Sequence, residues 1–133
     1  MPVSRGFQDF VLDLLGPLAP VPRRMFSGVG LFHGGVMFGL LVRDAMYLRV
    51  DELTRERFDQ AGSGPFGYRR GEREVSISTY YLVPQDLLDR QEELLRWTQD
   101  AIAASRRAAA NAPSARSRSG ARGYRRKRRA DSG

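Results

Sequence analysis

The sequence predicts an α+β fold in which helices pack on an antiparallel sheet, and two observations carry this prediction. Residues 23–52 have the pattern of three consecutive strands joined by two tight turns. A second hairpin pattern follows further on, and segments with helical periodicity lie before, between and after these strands. Because strands and helices are segregated, the predicted order is α-β-β-β-α-β-β-α, which differs from the strict alternation of a parallel sheet.

The first helix is predicted over residues 5–15, where apolar residues recur at helical spacing. Gly16-Pro17 ends that pattern. Residues 19–24 are then expected to form an extended lead-in to the first strand, since a residue before proline disfavours the helical region.

The meander begins with a run from Met25 to Val42 that contains no Asp, Glu, Lys or Arg. Gly34-Gly35 at its centre suits a two-residue hairpin turn, which needs residues that tolerate positive φ. Arg43-Asp44 predicts the second reversal, after which apolar and polar residues alternate as in a strand with one buried face. The run is long enough to cross a membrane, but its five glycines and His33 argue against a lipid-spanning helix.

The remaining elements are a short helix, a hairpin and a long helix. Asp51 is predicted to cap the second helix, which Gly62 ends. The hairpin is predicted over residues 65–70 and 74–82 around Gly71, with one side of its second strand lined by Val75, Ile77, Thr79 and Tyr81.

The third helix is expected to carry Pro84 in its first turn. Its apolar face contains Leu87, Leu88, Leu94, Leu95 and Ile102. Trp97 is expected to pack from this helix against the sheet.

Short motifs on these elements resemble, in their order, the amino-terminal domain of the TfoX/Sxy family over about residues 5–105. They are Arg24-Met25-Phe26, Gly28-Val29-Gly30-Leu31-Phe32, Met37-Phe38-Gly39, Tyr47-Leu48-Arg49-Val50-Asp51, Phe58, Gly62, Pro65-Phe66-Gly67-Tyr68, Ser78-Thr79-Tyr80-Tyr81, Val83-Pro84, Leu87-Leu88-Asp89, Leu94 and Trp97. The resemblance implies the secretion-chaperone-like fold of that domain. It also implies a link to transcription of competence genes, beside a separate DNA-binding activator.

Two departures limit what the resemblance carries over. Arg49 stands where the family pattern leads one to expect Lys, which keeps the charge but changes the hydrogen-bonding geometry. The longer competence regulators have a second, helical carboxy-terminal domain, and this chain is expected to have no room for one after Trp97. Functions of that second domain are therefore not inferred.

The charge is partitioned between two segments. Residues 1–105 contain 12 Arg and 14 Asp or Glu, whereas residues 106–133 contain 10 basic residues and one Asp. The sequence thus predicts a folded domain over 1–105 and an Arg-rich tail over 106–133. From Ala108 onward no apolar residue larger than alanine occurs except Tyr124, so this tail is expected to be disordered when free.

A flexible polycation attracts polyphosphate through release of condensed counterions, so the tail is predicted to bind DNA or RNA without sequence preference. Its candidate contact residues are Arg116, Arg118, Arg122, Arg125, Arg126, Lys127, Arg128 and Arg129. Two other interpretations stay open: a solubilising extension, and adsorption to anionic lipid.

The sequence gives no pattern for catalysis, a cofactor or a metal. The chain has no cysteine and a single His33, which is expected to be a strand-end or turn residue. Gly28-Val29-Gly30 resembles the start of a dinucleotide fingerprint but lacks the following helix. The prediction is a non-enzymatic protein without a cofactor, and the lack of cysteine fits a cytoplasmic location.

A second candidate surface combines tyrosine and arginine on the sheet, as in sheets that stack single-stranded nucleic acid. Its residues are Tyr47, Arg49, Tyr68, Arg69, Arg70 and Tyr80. The alternative is that the tyrosines are half-buried sheet residues covered by arginine stems.

Besides a small enzyme, for which the sequence gives no catalytic pattern, two functional hypotheses follow. The first is a regulatory or adaptor protein that has a transcription factor or other protein as partner and whose tail adds nucleic-acid affinity. The second is a chaperone-like protein-binding module that forms a homodimer. Neither includes a membrane span.

Overall fold

The computed structural model describes residues 3–25 and 28–111. Its elements are α1 (Arg5–Leu14), β1 (Val21–Met25), β2 (Gly28–His33), β3 (Val36–Val42), β4 (Ala45–Arg49), α2 (Arg55–Gln60), β5 (Pro65–Arg70), β6 (Arg73–Leu82) and α3 (Gln91–Asn111). The strands form one six-stranded sheet with the order β1-β2-β3-β4-β6-β5, and every neighbouring pair is antiparallel. The predicted α+β class, with helices on an antiparallel sheet, is confirmed.

The sheet has one strand more than predicted, because residues 21–25 pair with β2 as an edge strand. This segment was expected only to be extended. Pro22 lies opposite Leu31, and proline is tolerated at an edge because its missing N–H can face away from the ladder. An edge strand with a proline has no regular alternation, so the sequence pattern did not distinguish it from a lead-in.

Both predicted turns are present. Gly34 and Gly35 have φ of +56° and +85°, so they form the two-residue turn between β2 and β3. Arg43, at φ +55°, begins the turn into β4. These turns set the register that pairs Leu41 with Val29 on one side and with Met46 on the other.

The core lies between the helices and one face of the sheet, here called the inner face. Alternation along β4 turns Met46 and Leu48 into this core, and α3 crosses β3 and β4 there. The α1 side chain Val11 and the adjoining Leu15 are fully buried in the same cluster. Its largest fully buried members are Phe38, Phe58, Leu15, Leu31, Leu41, Met46, Leu48 and Leu94.

Helix α2 begins at Arg55, later than the cap predicted at Asp51. Residues 52–54 form a turn, in which the Leu53 N–H donates to the Asp51 carboxylate and the Asp51 N–H donates to the Thr54 hydroxyl. This reciprocal pair satisfies backbone donors before the helix starts, as a capping box does. Asp51 therefore caps the turn, and Thr54 occupies the N-cap of α2.

The predicted third helix is two elements. A 3-10 turn spans Gln85–Asp89, and α3 starts at Gln91 after Arg90, which has φ −131° and ψ 84°. The turn buries Leu87 and Leu88, while α3 buries Leu94 and Ile102, so the break redirects the chain between two parts of the core. Trp97 packs from α3 on Phe58 of α2, with 4.8 Å between ring centroids and 69° between ring planes.

The β5–β6 hairpin has a register shift that the sequence pattern did not predict. Pro65 pairs with Tyr81, but Phe66 pairs with Ile77. The alternation along β6 is broken between these positions, so Tyr81 joins the core while Ile77 lies on the opposite face of the sheet. The prediction that Val75, Ile77, Thr79 and Tyr81 line a single side is therefore wrong.

Among residues 3–25 and 28–111, no helix is both long enough and apolar enough to cross a membrane.

Candidate functional site: the outer face of the sheet

The face of the sheet opposite the core, here called the outer face, is not covered by any helix of the described residues. Strand alternation and pairing place on it the side chains of Val21, Arg23, Met25, Phe32, Met37, Leu40, Val42, Tyr47, Arg49, Phe66, Tyr68, Arg70, Arg73, Val75, Ile77, Tyr80 and Leu82. Most of these side chains are apolar or aromatic.

Apolar exposure is concentrated on the outer face. The described residues include six exposed large hydrophobic side chains, and four of them lie here: Val21, Tyr68, Ile77 and Leu82. Leu82 is 38% exposed and Val21 is 55% exposed. The two others, Phe10 and Leu53, lie on α1 and in the turn before α2. Single exposed hydrophobic residues are ordinary, but a contiguous group is typical of an interaction surface.

A chain of aromatic rings runs across the outer face. The Tyr47 and Phe66 rings meet edge to face with 5.0 Å between centroids, and the Phe66 and Tyr68 centroids are 5.9 Å apart. The Tyr47–Phe66 contact reaches across β6, from β4 to β5, next to the register shift at Pro65/Phe66. Aromatic rings with 4.5–7 Å between centroids stabilise each other by about 0.5–1.5 kcal/mol beyond burial.

Arg49 and Tyr80 form the polar centre of the outer face. They lie opposite each other on β4 and β6, and the Arg49 guanidinium carbon is 5.7 Å from the Tyr80 ring centroid. The Tyr80 hydroxyl donates to the Met37 carbonyl at 3.2 Å, next to the bulge in the β2–β3 pairing. Burial raises the pKa of the Tyr80 hydroxyl above its ordinary value of 10.0, and Arg49 opposes this shift more weakly. The hydroxyl is therefore neutral at physiological pH and can donate its hydrogen bond to the Met37 carbonyl.

The β1 side of the outer face is built around Gly30. A Cβ at this position would lie 2.6 Å from the Met25 Sδ and 2.9 Å from the Met37 Sδ, so the two methionines close over the glycine. Arg23 lies over the neighbouring Phe32 ring, with 5.3 Å between the guanidinium carbon and the ring centroid. Methionine side chains adapt to irregular partners, which suits a recognition surface.

The far part of the β5–β6 hairpin extends beyond the rest of the sheet as an arm, residues 66–78. Strand β6 pairs with β4 only through residues 80–82, and most arm residues are exposed on both faces. The arm continues the outer face through Phe66, Tyr68, Val75 and Ile77. A two-stranded ribbon is only marginally stable by itself, so an arm of this kind gains stability from a partner.

The predicted tyrosine and arginine surface is brought together only in part. Tyr47, Arg49 and Tyr80 are neighbours on the outer face, and Tyr68 joins them through Phe66. Arg70 lies near the tip of the arm. Arg69 lies opposite Glu74 in the strand register, and both are on the other side of the ribbon. Tyr80 is 7% exposed, so its ring is not free for stacking.

The eight candidate nucleic-acid contacts of the tail lie outside the described residues, so the prediction for Arg116, Arg118, Arg122, Arg125, Arg126, Lys127, Arg128 and Arg129 stays a prediction. Helix α3 continues past the predicted domain boundary at residue 105 and ends at Asn111. Arg106 and Arg107, which the sequence assigned to the tail, therefore belong to α3.

These two arginines attach the end of α3 to the sheet and to the turn before α2. The Arg106 Nη2 atom lies 2.7 Å from His33 Nδ1 at the end of β2. The Arg107 Nε atom donates to Asp51 Oδ2 at 2.7 Å, and this hydrogen bond holds the pKa of Asp51 below its ordinary value of 3.8. An open groove of about 450 Å³ lies beside them.

Sequence reasoning missed Leu40, Phe66 and Leu82, which are apolar side chains on the outer face. The period-2 pattern of β3 and β4 contained the signal for Leu40, but assigning it to an open face required knowing that every helix packs on the other face. Within residues 3–25 and 28–111, no group of three His, Cys, Asp or Glu side chains is arranged to hold a metal ion.

Comparison with known proteins agrees with the fold. No curated protein matches the chain. The family model described as the TfoX N-terminal domain matches residues 13–105, a span that runs from α1 through most of α3 and includes the whole sheet. The chain therefore belongs to the TfoX N-terminal domain family.

Proposed function

We propose that this chain is a non-enzymatic regulatory adaptor of the cytoplasm, which holds a protein partner on the outer face and adds non-specific nucleic-acid affinity through its basic tail. The observation that carries the proposal is the outer face itself: a six-stranded sheet with all described helices on one side and exposed apolar side chains on the other. Membership of the TfoX N-terminal domain family supports a regulatory or adaptor role.

The chemistry of the outer face favours protein binding over catalysis. Its central side chains are Leu40, Tyr47, Phe66 and Leu82, which supply buried area and shape but no nucleophile or general base. Aromatic residues, Met and Arg are the types enriched at protein interfaces, and all three occur on this face.

The tail supplies the second activity of the proposal. Residues 112–133 contain eight basic residues and one Asp, so they favour a polyphosphate partner. They follow directly on α3, whose end is fixed by the Arg106–His33 and Arg107–Asp51 contacts. A protein held on the sheet would thus be connected to nucleic acid, which is how an adaptor of this kind would act in transcription or competence.

The second candidate function is a chaperone-like module that forms a homodimer and needs no nucleic acid. The arm favours it, since a ribbon that is apolar on one face and exposed on both is suited to strand exchange between two copies. The two candidates differ in whether the full-length chain retains nucleic acid before nuclease treatment.

The test is affinity purification from native lysate with the full-length chain and with a chain that ends at Asn111, each with and without nuclease. The adaptor proposal predicts a stoichiometric protein that both chains retain, and nucleic acid that only the full-length chain retains and that nuclease removes. A homodimer that retains a protein but no nucleic acid would favour the chaperone-like module. Nucleic acid held equally by both chains would contradict the role of the tail.

A further inference from the structure

All charged side chains on the outer face have the same sign. Arg23, Arg49, Arg70 and Arg73 are directed to this face, and no described strand residue contributes a carboxylate to it. The acidic residue of the arm strands, Glu74, pairs with Arg69 on the other side of the ribbon. The charged strand residues on the outer face are therefore all positive.

Arg49 also lacks a hydrogen-bond partner at its most buried nitrogen. Its Nε atom is buried and has no acceptor among the described residues. An unpaired buried donor is unfavourable, and native proteins satisfy nearly all such groups. The Arg49 side chain as a whole is half-buried and lies beside the Tyr80 ring at the centre of the outer face, so a carboxylate of a bound molecule could contact it where it is exposed.

These charges disfavour the two occupants that the chain itself could provide. A second copy packed face to face would bring arginines against arginines with no carboxylate to compensate them. The tail would meet the same difficulty, since residues 112–133 carry eight basic residues. Like charges brought together across an interface oppose association.

We infer that the outer face binds an acidic amphipathic segment of a partner protein, with a carboxylate on Arg49 and apolar side chains on Leu40, Tyr47 and Leu82. This inference rests on the proposed function and specifies the chemistry of the partner. Nucleic acid fits less well, because the Tyr80 ring is buried and the Tyr47 and Phe66 rings pack edge to face on each other, which leaves few free ring faces for base stacking. The carboxylate supplies specificity and register, and the apolar contacts supply burial.

The probe is a random peptide library displayed on phage, selected against the full-length chain after the library has been cleared on the full-length Leu82→Asp variant. The clearing step removes peptides that bind the tail or the helices. The expected survivors combine Asp or Glu with apolar residues. A synthetic peptide of the selected sequence is then titrated by fluorescence anisotropy, beside a copy with each Asp and Glu replaced by Asn and Gln.

Arg49→Gln is expected to lower the affinity for this peptide about 10- to 100-fold, the loss typical of a charged hydrogen bond. Arg49→Lys should restore part of the affinity, because the charge remains. The matched control is Arg57→Gln, since Arg57 also lies over an aromatic ring, 5.0 Å from Trp97, but on the helical side. Circular dichroism and the melting temperature establish that each variant is folded.

Several outcomes would overturn the inference: no enriched peptide, survivors without carboxylates, equal binding by the neutral copy, or equal binding by folded Arg49→Gln and Arg49→Lys. Oligonucleotide binding that depends on Arg49, or a dimer that Leu82→Asp dissociates, would overturn it as well.

If neutral peptides bind and Leu82→Asp abolishes that binding, the adaptor proposal stands and only the acidic partner is wrong. If the partner protein recovered from lysate also binds the Leu82→Asp variant as well as it binds the wild type, both the adaptor proposal and the inference of an acidic partner fail.

Discussion

The Arg107 Nε atom lies 2.7 Å from Asp51 Oδ2, and this ion pair joins the last turns of α3 to the turn that precedes α2. The same carboxylate accepts from the Leu53 N–H through its other oxygen. One side chain thus caps a turn and anchors the end of a long helix. The tail follows that helix, so this pair determines where the proposed nucleic-acid-binding segment leaves the domain.

The Asp51–Arg107 pair predicts a specific pH dependence. The pKa of Asp51 is lowered in the folded protein, so the pair contributes stability above the unfolded pKa near 3.8, and this contribution is lost as pH falls through the lower folded value. Asp51→Asn should lower the melting temperature at neutral pH, with a difference from wild type that shrinks below about pH 4. Asp86→Asn, in an exposed pair with Arg90, is the control with little expected effect. A difference at Asp51 that stays constant down to about pH 2.5, roughly one unit below the ordinary value, would contradict this linkage.

Truncation of Phe58 is predicted to be strongly destabilising. It is 2% exposed and contacts both Tyr81 and Trp97, so Phe58→Ala should lower the free energy of unfolding by about 3–5 kcal/mol. Phe10→Ala is the matched control, because that ring is 45% exposed on α1 and should change stability by less than about 1 kcal/mol. Urea denaturation followed by Trp97 fluorescence measures both. Equal losses would show that the core is not centred on Phe58.

The β2–β3 turn should depend on glycine. Gly34 and Gly35 both have positive φ, and Val at either position is expected to cost more than about 1 kcal/mol. Gly6→Ala provides a control of opposite sign, since Gly6 lies in α1 with open space around the position that a Cβ would take, and the variant should gain up to about 1 kcal/mol. An unchanged melting temperature for Gly34→Val/Gly35→Val would rule out this turn.

Removal of residues 112–133 should separate nucleic-acid binding from folding. If about five to eight tail charges contact phosphates, the slope of log affinity against log salt for the full-length chain is roughly −4.5 to −7, and truncation after Asn111 abolishes binding. The melting temperature should remain nearly unchanged. Truncation after Ser105 should instead lower it, because Arg106 and Arg107 are lost with their contacts to His33 and Asp51. Full binding by the shorter chain would place the activity on the folded domain.

Local signals predicted the parts of the fold that depend on neighbouring residues. The Gly34-Gly35 turn followed from positive-φ chemistry, and the ends of α1 followed from periodicity and Gly16-Pro17. The pairing of β1 with β2 could not be predicted from the sequence. Pro22 is unusual in a strand, and its position opposite Leu31 is set by tertiary structure.

The outer face could not be predicted in the same way. Arg49 and Tyr80 are adjacent only because β4 pairs with β6 instead of β5, which the linear order of strands does not determine. The Tyr47–Phe66 contact joins β4 to β5, which are not neighbours in the sheet, so no pattern along either strand predicts it. The sequence placed Tyr47, Arg49 and Tyr80 on strands, but their juxtaposition required the sheet topology.

The most direct test of the adaptor account is site-specific photo-crosslinking in native lysate, with a photoreactive residue placed in the full-length chain at Leu82 or at Leu53. Both positions carry exposed leucines, but only Leu82 lies on the outer face. The account predicts one discrete protein adduct from Leu82 that survives nuclease treatment, and no such adduct from Leu53. Equal labelling from both positions, or a Leu82 adduct that disappears with nuclease, would contradict it.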